Sequence, residues 1–146
     1  MRKVRILVIS SPSLSRVIEH LFRGRSEFEV VGSVNGLRAL RRECARLLPE
    51  LIVAHIKPLR TRVCRAVASI KECSPFSKLI LICSIRDFMG GARQSGADAC
   101  LEQEKLVHHL LRTARALSMH LSPAIPQEGS IASAYPAHFS ETFRAH

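Results

Sequence analysis

The sequence predicts a doubly wound α/β domain: a parallel five-stranded sheet with helices on both faces, in three layers. Three observations carry this. Five short apolar runs alternate with five segments of helical periodicity. The runs are continuous rather than alternating, as in Leu51-Ile52-Val53-Ala54 and Leu79-Ile80-Leu81-Ile82, the pattern of strands buried on both faces. And 146 residues suit one domain with a substantial core rather than two.

The first strand is Val4–Ile9. Ser11-Pro12 then reads as an N-cap followed by proline at the first helical position. Leu14, Val17, Ile18, Leu21 and Phe22 recur at helical spacing, and Gly24 closes that helix. Phe28–Val34 is the second strand. Asn35 caps a second helix with Leu37, Leu40, Cys44, Leu47 and Leu48 on its apolar face, and Pro49 ends it. Leu51–Ile56 is the third strand, followed by a basic loop and a helix carrying Val63, Val67 and Ile70. Lys78–Cys83 is the fourth. A fourth helix is expected over 85–95, weakened by Gly90-Gly91. Gly96-Ala97-Asp98 reads as a helix end turning into a short fifth strand, Ala99–Leu101. The last helix runs from about Glu104 to His120 with Leu106, Val107, Leu110, Leu111, Ala114 and Leu117 on one face.

Residues 1–121 form the predicted domain. Residues 122–146 contain three prolines (123, 126 and 136) and little to build a core from, so a disordered tail is expected, with Tyr135, Phe139 and Phe143 spaced by four along it. The net charge is +10, and all but one of the 22 Lys and Arg lie in residues 1–121. Such a surplus favours polyanions or acidic protein surfaces as partners. No run approaches the length of a membrane span. Arg2, Lys3 and Arg5 precede only four apolar residues, too few for a secretory signal, so a cytoplasmic protein is expected. Cys44, Cys64, Cys73, Cys83 and Cys100 contain no C-x-x-C pair and are expected to be reduced thiols.

In doubly wound sheets the chemistry sits beyond the carboxyl ends of the strands. The residues placed there are Ser10, Ser11, His55, Cys83 and Gln103. Serines 10 and 11 lack the base and acid partners of a hydrolase beyond His55. One imidazole and one or two thiolates are too few for a structural zinc site.

Several phrases carry a family resemblance: "RILVISSPSLSRVIEHLF", "FEVVGSVNG", "LLPELIVAHI", "KLILICS" and "GADACL", in that order over roughly residues 4–117. Together they resemble the receiver domains of two-component response regulators, which implies the flavodoxin-like (βα)5 fold. The ending "LSMHLSP" resembles the linker that leads to a DNA-binding helix-turn-helix in many members; the roughly 20 residues beyond it are too few for that domain. The resemblance implies a magnesium site built on an acidic pair after the first strand and a phosphoacceptor aspartate ending the third. It also implies a hydroxyl ending the fourth strand, a lysine ending the fifth, and an aromatic switch residue within the fifth. By position these fall on Ser10 and Ser11, His55, Cys83, Gln103 and Cys100. All six depart from the pattern. Magnesium wants carboxylate oxygens, so the family's Mg²⁺ site and its aspartyl phosphorylation are expected to be absent, with no cofactor in their place.

Resemblance and departures together imply a degenerate, non-enzymatic receiver-like module that works by protein–protein contact. The resemblance implies a homodimer or partner surface on the fourth helix, fifth strand and fifth helix, where Arg86, Asp87, His108, Arg112 and Arg115 lie. Two alternatives stand beside it. A nucleic-acid-associated protein would use Arg38, Arg41, Arg42 and Arg46, with Arg60, Arg62 and Arg65 after the third strand. A thiol sensor would join Cys83 to Cys100. The neighbours His108 and His109 point to different sides of the last helix and cannot share a metal.

Overall fold

The computed structural model describes residues 2–56, 63–84 and 95–121. Its strands are β1 (Val4–Ile9), β2 (Phe28–Val34), β3 (Leu51–His55), β4 (Lys78–Cys83) and β5 (Ala99–Glu102). Its helices are α1 (Pro12–Phe22), α2 (Leu40–Leu47), α3 (Val63–Cys73) and α4 (Leu106–Ser118), the last entered through a 3₁₀ turn at Gln103–Lys105. Residues 85–94 of the predicted fourth helix, the loop at 57–62 and the tail at 122–146 lie outside the described residues.

All strand pairs are parallel and the order is β2-β1-β3-β4-β5. The continuous aliphatic runs divide by alternation. Leu7, Ile9, Ile52, Ala54, Leu79 and Leu81 face α2 and α3, meeting Leu40, Cys44, Leu47, Val67 and Ile70. Ile6, Val8, Leu51, Val53, Ile80 and Ile82 face the other way, onto Ile18 and Phe22 of α1 and Leu110, Ala114 and Leu117 of α4. Each aliphatic residue of these runs is thus covered, which explains why no polar alternation shows in β3 and β4. On edge strand β2 the pairing with β1 slips by one residue between Ile6 and Leu7, leaving Val31 without a direct opposite.

The amino-terminal edge is cross-tied by polar groups. Asp98 Oδ2 accepts the Leu79 N–H at 2.7 Å and the Lys71 ammonium at 2.6 Å. The Arg5 guanidinium donates twice to the Leu47 carbonyl at the end of α2, at 3.0 and 2.8 Å.

Four local expectations change. Asn35 does not cap α2, which begins at Leu40 after a turn through Gly36 at φ +107°. Ser11 is the N-cap residue of α1, yet its hydroxyl makes no bond to the helix amides; its carbonyl takes the Ser15 N–H at 2.9 Å. Val17 and Val107 are exposed, because each lies just off the stripe its helix buries. Leu48 is 70% exposed and left-handed at φ 49°, the residue on which α2 ends.

That conformation is costly for a residue with a Cβ, and Leu48 gains little burial in return. Leu48→Gly is expected to raise the unfolding free energy by about 1 kcal/mol, read as a higher urea midpoint at unchanged slope.

Candidate functional site at the carboxyl edge of the sheet

The strand order reverses between β1 and β3, so the crevice beyond their carboxyl ends is the expected binding place in this architecture. Ser10 directly follows β1 and His55 ends β3. Cys83 ends β4, and Gln103 follows β5 at the start of the 3₁₀ turn. The sheet register sets them side by side in steps: Ile9 opposite Ala54, His55 opposite Ile82, Cys83 opposite Glu102. The predicted residues therefore do share one edge.

Ser10 is 4% exposed and its hydrogen bonds stay within the chain. Its hydroxyl donates to the Ser11 carbonyl at 3.0 Å and lies 2.6 Å from the Ser15 hydroxyl. With the Ser10 proton on the carbonyl, Ser15 donates to Ser10 Oγ. The Ser10 N–H meets the Val34 carbonyl at 3.0 Å, tying the ends of β1 and β2. Ser11 is half-buried, with its hydroxyl 3.4 Å from that of Ser13. His55 is half-buried, and Gln103 is exposed. The buried Cys83 thiol donates to the Leu101 carbonyl, S···O 3.7 Å.

Two participants escaped the sequence reading. Ser15 stands on the buried side of α1, and only its polar character among apolar neighbours hinted at a role. Glu102 extends β5 one residue beyond the predicted end and sits opposite Cys83, its side chain 11% exposed and 3.6 Å from the Lys105 ammonium. One carboxylate thus does reach this edge, and it arrives with its own counter-charge.

These groups do not fit a magnesium ion. The hydroxyls of Ser10 and Ser15 are spent on each other and on a carbonyl, and Glu102 is matched by Lys105. Among the described residues no cluster of three or more His, Cys, Asp or Glu side chains could hold a metal.

The register does not favour the thiol alternative. Cys100 pairs with Leu81 and Cys83 with Glu102, so the two cysteines are diagonal neighbours. Strand spacing and rise put their Cα atoms about 8 Å apart, whereas a disulfide tolerates no more than about 7 Å. None of the five cysteines is in a disulfide. Burial pushes the Cys44 thiol up, and the neighbouring Cys73 adds to the effect.

The arginine face on α2 is weaker than its sequence spacing implied. Arg38 precedes the helix, and Glu43 sits between Arg42 at 3.8 Å and Arg46 at 2.7 Å. The Arg46 hydrogen bond holds the Glu43 carboxyl below its usual range, and Glu43 in turn raises Arg46. Arg38 and Arg41 remain exposed, as does Arg65 on α3; Arg60 and Arg62 lie outside the described residues.

Of the predicted partner surface, Arg86 and Asp87 lie outside the described residues. His108 and Arg112 are exposed on α4. Arg115 is engaged within the chain: its Nε donates to Glu27 Oε2 at 2.8 Å, tying α4 to the turn before β2 and holding the Glu27 carboxyl below its usual range. His109 is half-buried with Nδ1 against the Arg112 guanidinium, and burial first, then Arg112, pushes its pKa down.

No protein-family model and no curated relative matches the chain. Solved structures do. The response regulator domain of Thermotoga maritima CheB superposes with a TM-score of 0.67 at 19% identity, covering 84% of this chain and 100% of that one. The isolated REC domain of RcsB from Salmonella enterica serovar Typhimurium, with phosphomimetic BeF3⁻, gives 0.66 at 13% identity over 90% and 98%. The response regulator RcsB in a DNA complex gives 0.70 at 13% identity, over 83% of this chain and 66% of that one. With its parallel order β2-β1-β3-β4-β5 and helices on both faces, the chain has the flavodoxin-like fold of response-regulator receiver domains.

Proposed function

We propose that this chain is a receiver-like signalling module of a two-component or phosphorelay system, acting in the cytoplasm by protein contact, without phosphoryl transfer and without enzymatic activity. One observation carries the reading: where the family chemistry needs carboxylates around a divalent cation, a serine hydroxyl pair closes on itself between β1 and α1. Among the described residues, the lysine at this edge, Lys105, is drawn to Glu102, which leaves it poorly placed to offset the charge that builds on a transferring phosphoryl group. The imidazole of His55 offers no carboxylate to accept it. That among the described residues no helix is long and apolar enough to cross a membrane is in keeping with the proposed location.

A module that is not switched by phosphate responds only through partners with different affinities for its conformations. The exposed His108 and Arg112 on α4, beside β5, are the proposed contact residues for such a partner or for a second copy.

The test is incubation with acetyl phosphate and Mg²⁺, followed by intact-mass measurement. The expected result is an unchanged mass, with a phosphorylatable receiver as positive control. A gain of one phosphate mapped to His55, Ser10 or Ser11 overturns the proposal.

A further inference from the structure

We infer that the amino-terminal edge of the domain carries a docking groove for an acidic peptide segment bearing one apolar side chain. The groove lies at the opposite end of the strands from Ser10 and His55, and does not rest on the proposal made for that edge. It opens between the end of α1 and the starts of β1 and β2, with a volume of about 390 Å³. That is the size of a small-ligand or single-anchor pocket.

Its floor is apolar and its rim is cationic. Phe22 and Phe28 pack edge to face, ring centres 5.0 Å apart, and are 2% and 3% exposed, so they present a fixed floor rather than free rings. Around them stand Lys3, Arg23 and Arg25, all exposed. None of these three has an ion pair among the described residues. The nearby carboxylate of Glu27 is turned to Arg115, so Glu19 is the acidic side chain in the lining. The outward side of α1 extends the charge, since Arg16 and His20 lead along it to Arg23 at helical spacing, all three exposed. Gly24, at φ +77° with nothing within 4 Å of an added Cβ, leaves the rim open beside Arg23 and Arg25.

The contrast with α2 decides where the positive surplus of the chain acts. There Glu43 engages two of the four arginines; here, among the described residues, three cations stand around an apolar floor without a close ion pair, Glu27 feeling Arg25 only from a distance. The same features choose the occupant. A single-stranded nucleic acid wants exposed rings to stack on, and single strand or duplex wants an unbroken run of cations along its backbone. This groove has buried rings and a glutamate among its cations. A peptide uses both parts: carboxylates on Lys3, Arg23 and Arg25, and one aliphatic or aromatic side chain against Phe22, Phe28 and Val30.

The experiment uses the full chain and a short fluorescein-labelled peptide of aspartate and glutamate with one central leucine, followed by anisotropy. Saturable binding is expected, and Arg23→Glu with Arg25→Glu is expected to weaken it at least about tenfold. Replacing the peptide leucine by serine is expected to weaken binding about tenfold through lost apolar burial. Arg38→Glu with Arg41→Glu, just before and on α2, is expected to change it less than about twofold, since exposed charges beyond a Debye length are screened. Thermal melts of both variants report that the fold is kept. Absence of saturable binding, an equal loss from the α2 variant, or tighter Arg23- and Arg25-dependent binding of random duplex DNA than of the peptide overturns the inference.

Discussion

Replacing Ser10 by aspartate is expected to lower the unfolding free energy at neutral pH by about 3–5 kcal/mol, the range for an uncompensated buried charge. The residue is almost fully enclosed, and its hydroxyl is bonded to Ser15 and to the Ser11 carbonyl. A carboxylate there loses its water and finds an oxygen-rich neighbourhood instead of a cation. Among the described residues the ammonium near this edge, Lys105, is already drawn to Glu102. The loss should shrink on acidification, because the folded state tolerates only the protonated acid and its pKa there is raised. Ser10→Ala, which merely removes a hydroxyl partner from Ser15, is expected to cost about 1 kcal/mol. Urea unfolding of the three proteins, with and without Mg²⁺, provides the measurement. An aspartate variant as stable as the parent would show that the mouth already accommodates negative charge, and the case against a metal-assisted phosphoacceptor would fail with it.

The second large effect lies at the other end of the strands. Asp98→Ala is expected to cost about 2–3 kcal/mol, since one carboxylate oxygen serves both the Leu79 amide and the Lys71 ammonium. Lys71 keeps a weak bond to the Ser77 carbonyl at 3.4 Å and about a third of its side chain in water, which places the cost below that of a fully buried broken pair. Asp98→Asn retains an acceptor for Leu79 and is expected to lose less than half as much. A double-mutant cycle with Lys71→Met separates the ion pair from the amide bond. If Asp98→Ala leaves the urea midpoint unchanged, the cross-tie is ornamental.

The sheet was legible because its strands are continuous aliphatic runs. Val4–Ile9, Phe28–Val34 and Lys78–Cys83 have the predicted bounds, since a segment buried on both faces admits few polar residues. Helix starts were read less well. Asn35 looks like a cap, but Gly36 bends the chain there and α2 begins five residues on, at Leu40. Polar groups that work across the fold were least visible. Asp98 reads locally as a turn residue, and only the approach of α3 and β4 reveals its two partners. Ser15 acquires its role from Ser10, across the β1–α1 turn, and Glu102 from Cys83 on β4 and Lys105 past the strand end, which periodicity does not encode. The edge holding Ser10, His55, Cys83 and Gln103 followed from strand order alone. That Cys83 and Cys100 are diagonal rather than directly opposite required the register between β4 and β5.

The slip at Val31 matters beyond the pairing of β1 with β2. Strand β2 borders the sheet, and a foreign strand approaching that border seeks evenly spaced amides to zip onto. An extra residue bends the row and interrupts its rhythm, so a second chain laid alongside falls out of step after a few bonds. The same irregularity that spoils one internal ladder is thereby expected to hinder runaway sheet growth into fibrils.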